Sequence, residues 1–319
     1  MRDAGQARRG PTGRRRDDLR VRLDPLAHPV AGTGLRLMRL RHLFETLLLY
    51  GSLVLLAVIC LSWTVFALPM LLILPTAVGR RVGRLGILAG FRLYVWSLGW
   101  MGIYRLDLRA LRALRDGPPV VLAPNHPSLI DALLIIAHEP RVACVMKSSL
   151  MNNLFLGAGA RLARYIRSSP PRRMIREAVA ELGRGGIVLL FPEGTRTTQT
   201  PINALQASVA VIAKQAGVPI QTLIIEIDSP FLSKGWSVFR RTSLPVNYRM
   251  RLGPRLDAPD DVRACMTQLD QTLRAALAHP AQNLREVHGE RAAGAEVEAC
   301  GEGATRRERA PSAEVARRS

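Results

Sequence analysis

The most constraining feature of this sequence is a long apolar stretch near its amino terminus. Residues 44–75 read FETLLLYGSLVLLAVICLSWTVFALPMLLILP and contain one charged residue, Glu45. A bilayer span needs about 20 apolar residues, so the stretch is long for one span and short for two. Pro69 and Pro75 interrupt it, and a proline inside a helix kinks or ends that helix. We therefore expect residues 36–103 to form a membrane-associated helical segment.

Basic residues flank this stretch on both sides, and they favour the cytoplasmic face of a membrane. They are Arg36, Arg39 and Arg41 before it, and Arg80, Arg81 and Arg84 after it. A bent helical pair in one leaflet keeps both ends on that face, with residues 85–103 as a second, interfacial arm. A single transmembrane helix and a buried pair of core helices are the alternatives.

The formal charge of +20 favours an anionic partner, either nucleic acid or the anionic face of a bilayer. The apolar segment favours the bilayer, and no nucleic-acid-binding motif accompanies the charge, so no nucleic-acid partner is expected. Four scattered cysteines form neither a disulfide framework nor a zinc pattern, and no metal or organic cofactor is expected.

The remaining chain divides by composition. Residues 1–35 are predicted to be a disordered basic arm and residues 283–319 a disordered tail, because both are charged and lack apolar periodicity. Residues 104–282 alternate short apolar runs with helical patterns, which predicts an α/β domain with a mixed central sheet flanked by helices. The predicted strands are 120–123, 187–191 and 222–227, and the predicted helices are 131–138, 171–183, 204–216 and 260–278.

The first group of chemically informative residues, Asn125-His126-Pro127-Ser128-Leu129-Ile130-Asp131, follows the predicted strand VVLA. Catalytic groups of α/β proteins gather at strand ends. A neutral His126 at a helix amino terminus could accept a proton from an alcohol, and Asp131 could hold the other ring nitrogen. Alternatively, Ser128 and Asp131 form only a helix-capping S-x-x-D pattern.

The second group, Phe191-Pro192-Glu193-Gly194-Thr195-Arg196, ends the predicted strand IVLLF. Gly194 lets a ligand approach the backbone, Thr195 offers a hydroxyl, and the fork of donors on Arg196 matches a phosphate. Glu193 could hold that arginine or bind a substrate hydroxyl. A strand-to-loop turn with a surface ion pair is the alternative.

Together the two groups resemble the glycerolipid acyltransferase superfamily, especially the bacterial lysophosphatidic acid acyltransferases. NHPSLID matches the first family motif, NHxxxxD, and FPEGTR matches the third letter for letter. The resemblance implies that His126 is the general base and that Asp131 orients it. It also assigns substrate binding to Glu193, Gly194, Thr195 and Arg196, which face the acceptor phosphate, and to Lys147 and Asn125.

Two departures from the family pattern concern the acceptor. The second motif usually carries Asp-Arg after an aromatic residue and isoleucine, whereas this chain reads Arg164-Tyr165-Ile166-Arg167-Ser168. Arg164 or Arg167 could replace the missing arginine, or both could contact lipid headgroups. In the fourth motif, Val218-Pro219-Ile220 is followed by Gln221-Thr222 instead of a residue and proline.

The resemblance implies transfer of a fatty acyl chain from acyl-CoA or an acyl-carrier protein to the hydroxyl of a lysophosphatidate-like acceptor. The partners are then the lipid bilayer, the thioester donor and a phosphate-bearing lysolipid. The expected location is the cytoplasmic (inner) membrane, with the catalytic domain facing the cytoplasm. A different acceptor in a specialised lipid pathway, and hydrolysis of a lipid or thioester, remain alternatives.

Overall fold

The computed structural model describes residues 30–237 and 242–278, with side chains from residue 38 onward. Residues 1–43 and 44–319 form separate units, and the described part of the first, 30–43, is the beginning of one helix. The helices are α1 (Val30–Ile73), α2 (Thr76–Trp100), α3 (Asp131–Ile136), α4 (Ser148–Met151), α5 (Gly157–Leu162), α6 (Pro171–Leu182), α7 (Ser208–Ala216) and α8 (Val262–Ala276), with a 3-10 helix at Arg109–Leu114. The strands are β1 (Tyr104–Asp107), β2 (Val121–Pro124), β3 (Val142–Met146), β4 (Ile166–Arg167), β5 (Ile187–Leu189), β6 (Ile220–Ile227) and β7 (Val246–Leu256).

The seven strands form one sheet in the order β1-β7-β6-β2-β5-β3-β4. Strands β2 to β6 are parallel to one another, whereas β7 pairs antiparallel with β6 and parallel with β1. The predicted mixed sheet flanked by helices is therefore confirmed. The predicted strands and helices all occur, with ends shifted by a few residues, and β1, β3, β4 and β7 are additional.

Alternating residues along the central strands feed two separate cores, as the two-residue period of a strand requires. In β2, Leu122 faces the core under α2 and α3, while Val121 and Ala123 face the core under α6, α7 and α8. The central strands β2, β5 and β6 are buried on both faces, which explains why they read as short, continuous apolar runs. The sheet is thus the middle of three layers.

Helices α1 and α2 form an antiparallel hairpin that turns at Leu74 and Pro75. The indole of Trp63 lies directly on Gly86, where an added Cβ would be 2.1 Å from Trp63 Cη2. One turn further along, Ile59 approaches Gly90 in the same way. The predicted helical pair is present, and Pro69 lies inside α1 without ending it.

Helix α1 begins at Val30, ahead of the expected start at residue 36, because a formed helix extends at little cost. Residues 1–29 of the predicted arm and the whole predicted tail, 283–319, lie outside the described part of the chain. Within that part, the segment Met38–Ile73 is the one helix long and apolar enough to cross a membrane.

Candidate active site

The two sequence motifs meet at the edge of the sheet where β2, β5 and β6 end. Residues 125–131 follow β2, and residues 191–196 follow its neighbour β5. Because parallel strands place their carboxyl ends at one edge, loops far apart in sequence become neighbours there. We call this the carboxyl edge of the sheet.

His126 and Asp131 are in direct contact at this edge. His126 Nδ1 lies 2.7 Å from Asp131 Oδ2, and the imidazole is largely buried, with 17% of its surface exposed. This contact assigns the proton of the neutral ring to Nδ1, so Nε2 is the nitrogen that can accept a proton. The ring also stacks on Phe191, with the centroids 3.9 Å apart, which restricts its rotation.

Asp131 is completely buried, and three donors converge on its carboxylate. Besides His126, the backbone N–H of Ser128 donates to Oδ2 at 2.8 Å, and the hydroxyl of Tyr248 donates to Oδ1. Burial raises the pKa of Asp131 to about 6, although the contacts with His126 and Ser128 act against this rise. The carboxylate is therefore charged above about pH 6 and protonated below it.

Half of the alternative capping pattern is also present. The N–H of Ser128 bonds Asp131, as in a capping box, but the Ser128 hydroxyl donates to the carbonyl of Phe231 instead of the α3 backbone. Oδ2 of Asp131 therefore accepts hydrogen bonds both from the backbone of the local turn and from the imidazole.

Glu193 joins the two motifs. Its Oε1 accepts hydrogen bonds from the backbone N–H of His126 at 3.0 Å and from the Thr197 hydroxyl at 2.7 Å, and its Oε2 accepts from the N–H of Asn203. The Thr197 N–H in turn donates to the carbonyl of His126 at 2.7 Å. Glu193 is 4% exposed, and its hydrogen bonds hold the loop that carries His126 against the loop after β5.

Arg196 connects these loops to the segment after β6. Its Nη1 donates to the carbonyls of Leu232 at 2.8 Å and Ser233 at 3.1 Å. The Leu129 N–H also donates to the carbonyl of Leu232. His126 and Arg196 therefore belong to one hydrogen-bonded assembly of three loops.

Gly194 and Thr195 complete the second motif and are partly exposed. Gly194 has φ +64°, and a Cβ there would meet the amide of Gln206 at 2.2 Å. The positive φ favours glycine at this position, whereas the exposed Gln206 side chain could move to make room for a Cβ.

Asn125 has a structural role in this state. Its Nδ2 donates to the carbonyl of Ile225 at 2.9 Å, and its Oδ1 accepts from the N–H of the same residue at 2.7 Å. Both polar groups of the side chain hold the loop against β6, and the residue is 3% exposed. Its role in substrate binding stays a prediction.

Two further basic residues occupy the carboxyl edge beyond β5. Lys147 follows β3 and is exposed, and Arg167 ends β4, where its Nη2 donates to Asn152 Oδ1 at 3.2 Å. Arg164 instead points away from this edge and reaches Thr76 Oγ1. Of the two arginines that could replace the missing one, Arg167 lies on the side of the motifs.

The departure in the fourth motif lies at the opposite end of β6. Gln221 Nε2 donates to the carbonyl of Gly253, and the Thr222 hydroxyl donates to the carbonyl of Pro254. These bonds stabilise the pairing of β6 with β7. The change therefore affects the sheet and not the carboxyl edge.

Tyr248 was not predicted from the sequence. It lies on β7, 117 residues from Asp131, and is 1% exposed. The alternation V-N-Y-R-M-R-L at 246–252 indicates a half-buried strand and could have located it, but not its partner. Within the described ranges, no three His, Cys, Asp or Glu side chains group closely enough to hold a metal ion.

The arrangement can perform base-assisted attack of a hydroxyl. An imidazole with one nitrogen held by a buried carboxylate and the other able to take a proton is suited to general-base catalysis. Basic side chains along the same edge can attract an anionic substrate.

Comparisons with known proteins identify similar chains. The family model described as Acyltransferase matches residues 105–226. The 1-acyl-sn-glycerol-3-phosphate acyltransferase of Pseudomonas aeruginosa is 23% identical over 190 residues, covering 58% of this chain and 72% of that protein. The human 1-acyl-sn-glycerol-3-phosphate acyltransferase beta is 24% identical over 267 residues, covering 81% and 93%.

A solved structure shares the fold. The crystal structure of the 1-acyl-sn-glycerophosphate (LPA) acyltransferase PlsC from Thermotoga maritima matches with a TM-score of 0.57 and 19% identity. The match covers 76% of this chain and 96% of that chain.

Proposed function

This chain belongs to the glycerolipid acyltransferase family, and we propose that it transfers a fatty acyl group from a thioester to the hydroxyl of a lysophosphatidate-like acceptor. The single observation that carries the proposal is the 2.7 Å contact between His126 Nδ1 and Asp131 Oδ2, on a loop bonded through Glu193 to the FPEGTR segment. An O-acyltransferase needs this combination, a base next to an anion-binding loop.

In the proposed reaction, Nε2 of His126 accepts the proton of the acceptor hydroxyl as its oxygen attacks the thioester carbonyl carbon. The new C–O ester bond forms, the C–S bond breaks, and the leaving thiolate takes the proton back from the imidazolium. Asp131 stabilises the transient imidazolium and fixes its orientation. Positioned general-base catalysis typically contributes on the order of 10²–10⁴ in rate.

The acceptor phosphate is proposed to bind along the row of basic groups at the carboxyl edge. Arg196 uses Nη1 for the carbonyls of Leu232 and Ser233, so the rest of its guanidinium is available for a phosphate. Lys147 and Arg167 lie on the adjacent strand ends and supply further positive charge. Gly194 and Thr195 offer backbone and hydroxyl donors.

The apolar hairpin is proposed to enter one leaflet of the cytoplasmic (inner) membrane, with the catalytic domain on the cytoplasmic side. From Phe44 onward α1 packs along α2, and α2 is fixed to the domain by Arg92, which donates to the carbonyl of Ala137 at 2.9 Å. A helix held along the side of a water-exposed domain cannot cross a bilayer without burying that domain. The outer face of α1 is nevertheless strongly apolar, with Val65 at 62% and Phe66 at 60% exposed.

The test uses the full-length protein in detergent or vesicles, with acyl-CoA and acylated carrier protein offered separately as donors. We expect diacylated product from lysophosphatidate, and much less from monoacylglycerol, which lacks the phosphate. Mass spectrometry of the products identifies the donor as well.

Two outcomes contradict the proposal. Free fatty acid as the main product in the presence of acceptor indicates a hydrolase. Equal use of acceptors with and without phosphate contradicts the proposed binding of the acceptor phosphate by Arg196 and its neighbours.

A further inference from the structure

A second group of basic side chains lies at the opposite, amino edge of the sheet, where β3, β4 and β5 begin. Arg80 and Arg84 come from α2, Arg164 precedes β4, and Arg184 follows α6. Glu181 is the carboxylate between them: Arg84 Nη1 lies 2.8 Å from its Oε1, and Arg184 Nη1 lies 3.6 Å from its Oε2. We call these four arginines and Glu181 the amino-edge arginine cluster.

The cluster has an excess of positive charge. Four guanidinium groups surround one carboxylate, which leaves three positive charges uncompensated within the cluster. Burial lowers the pKa of Arg80, repulsion from Arg184 lowers it further, Glu181 raises it, and Arg84 and Arg164 lower it. Arg80 therefore lies within electrostatic range of the other members of the cluster.

Hydrogen bonding in the cluster is incomplete as well. Arg84 is 12% exposed and donates through Nε to the carbonyl of Ala163 at 3.2 Å, yet its Nη2 is buried without a partner in the described chain. Nε of Arg80 is also buried without a hydrogen-bond partner in the described chain. A buried donor without an acceptor is costly, and most such groups in proteins are satisfied by protein, water or ligand.

The cluster also adjoins the apolar turn of the hairpin. Arg164 reaches Thr76 Oγ1 at the first residue of α2, and the preceding residues Leu72 and Ile73 are 90% and 76% exposed. An apolar tip beside clustered arginines is the arrangement that places guanidinium groups at the level of lipid headgroups.

We propose that the amino-edge arginine cluster binds the phosphate of a net-anionic membrane phospholipid, at a site separate from the catalytic edge. The planar fork of arginine matches phosphate oxygens, and a phosphate supplies negative charge together with acceptors for the unpaired donors. The proposal rests on the membrane docking of the hairpin proposed above. It does not depend on the acyl acceptor, because the cluster shares no residue with the catalytic assembly.

The experiment measures binding of the full-length protein to vesicles of phosphatidylcholine alone and of phosphatidylcholine mixed with phosphatidylglycerol. The variant Arg80→Ala/Arg184→Ala keeps Arg84, which braces α2. We expect the wild-type preference for mixed vesicles to fall by about five-fold for each arginine removed. Binding to phosphatidylcholine, and turnover in neutral detergent micelles, should stay unchanged. Arg184→Ala alone, at a half-exposed position, repeats the test if the double variant does not fold.

The matched control is Arg255→Ala/Arg263→Ala, which removes the same charge from exposed positions on β7 and α8. An equal loss in this control indicates attraction by diffuse charge and overturns the proposal. So does an unchanged preference in the cluster variant. Failure of the wild-type protein to bind either vesicle contradicts the membrane docking itself.

Discussion

The two edges of the sheet differ in how completely their buried charged groups are hydrogen-bonded by the protein. At the carboxyl edge, the buried carboxylates Asp131 and Glu193 each accept three hydrogen bonds from the protein. In the amino-edge arginine cluster, Arg80 and Arg84 keep buried donors without partners in the described chain, and the cluster contains one carboxylate, Glu181.

This difference separates a site assembled in advance from one that a ligand completes. Catalysis benefits from groups that are already in place, because no reorganisation is then needed when charge develops. A binding site for an anion benefits from unbalanced charge, because the ligand itself supplies the compensation. The following predictions test the contrast, in order of decreasing effect.

Replacing the base should have the largest effect. His126→Ala is expected to lower the rate of acyl transfer by about 10²–10⁴, because it removes the imidazole that is proposed to accept the hydroxyl proton. Circular dichroism and vesicle binding should match the wild type. His138→Ala, on a histidine that bonds the carbonyl of Leu134 outside the site, is the control and should keep activity. Full activity of the His126 variant would falsify the assignment of the base.

Removing the carboxylate of the amino-edge arginine cluster should chiefly affect stability. Glu181→Ala leaves Arg84 buried without its partner, and we expect a loss of about 2–4 kcal/mol in the free energy of unfolding. Because the deficit is one of charge, phosphate or anionic lipid should recover part of it, measured by thermal unfolding. Glu177→Ala breaks the exposed pair with Arg173 and should change stability by less than about 1 kcal/mol. Equal losses in both variants contradict the difference in burial.

A smaller effect on both stability and rate is expected from Glu193→Gln. The amide has one acceptor oxygen where the carboxylate has two, so a backbone N–H of His126 or Asn203 loses its partner, at a cost of about 1–3 kcal/mol. The rate should fall because the histidine loop shifts. Added anions should not restore it, unlike Glu181→Ala. Recovery by phosphate would show that the carboxyl edge also depends on ligand charge.

The smallest effect is expected from Tyr248→Phe, and it should depend on pH. In the wild type, activity should fall as pH drops through about 6, because Asp131 is then protonated. A raised pKa also means that this group favours the folded state most at low pH and loses that contribution as pH rises through about 6. Loss of the tyrosine O–H donor further favours protonation, so the acid limb of the rate profile should move to higher pH. Near pH 8 the rate should stay within several-fold of wild type.

Tyr165→Phe, at another buried tyrosine, is the matched control for this profile. It should leave the acid limb in place. An unmoved limb in the Tyr248 variant contradicts a role for this hydroxyl in tuning Asp131.

The sequence predicts the catalytic edge better than the amino edge, for a physical reason. Residues such as His126 and Asp131 lie five apart on one loop, and the second motif directly follows a recognisable strand, so strand order alone brings them together. The position of Tyr248 depends on the pairing of β7 with β6, which no local pattern determines. The arginine cluster combines three chain segments, and the sequence identifies only Arg80 and Arg84 as the basic flank of the apolar stretch.

The packing of Trp63 on two glycines affects how the hairpin is attached to the domain. The indole lies on Gly86 of α2 and also against Gly159 of α5, where an added Cβ would be 2.7 Å from its ring. From Phe44 onward, the hairpin therefore packs on the catalytic domain through Trp63, with α2, about 37 Å long, as its strut. In the proposed membrane docking, the depth of the hairpin in the lipid would set the height of His126 above the headgroups. A bulkier residue at Gly159 would tilt this strut and alter which part of a lipid the imidazole can reach.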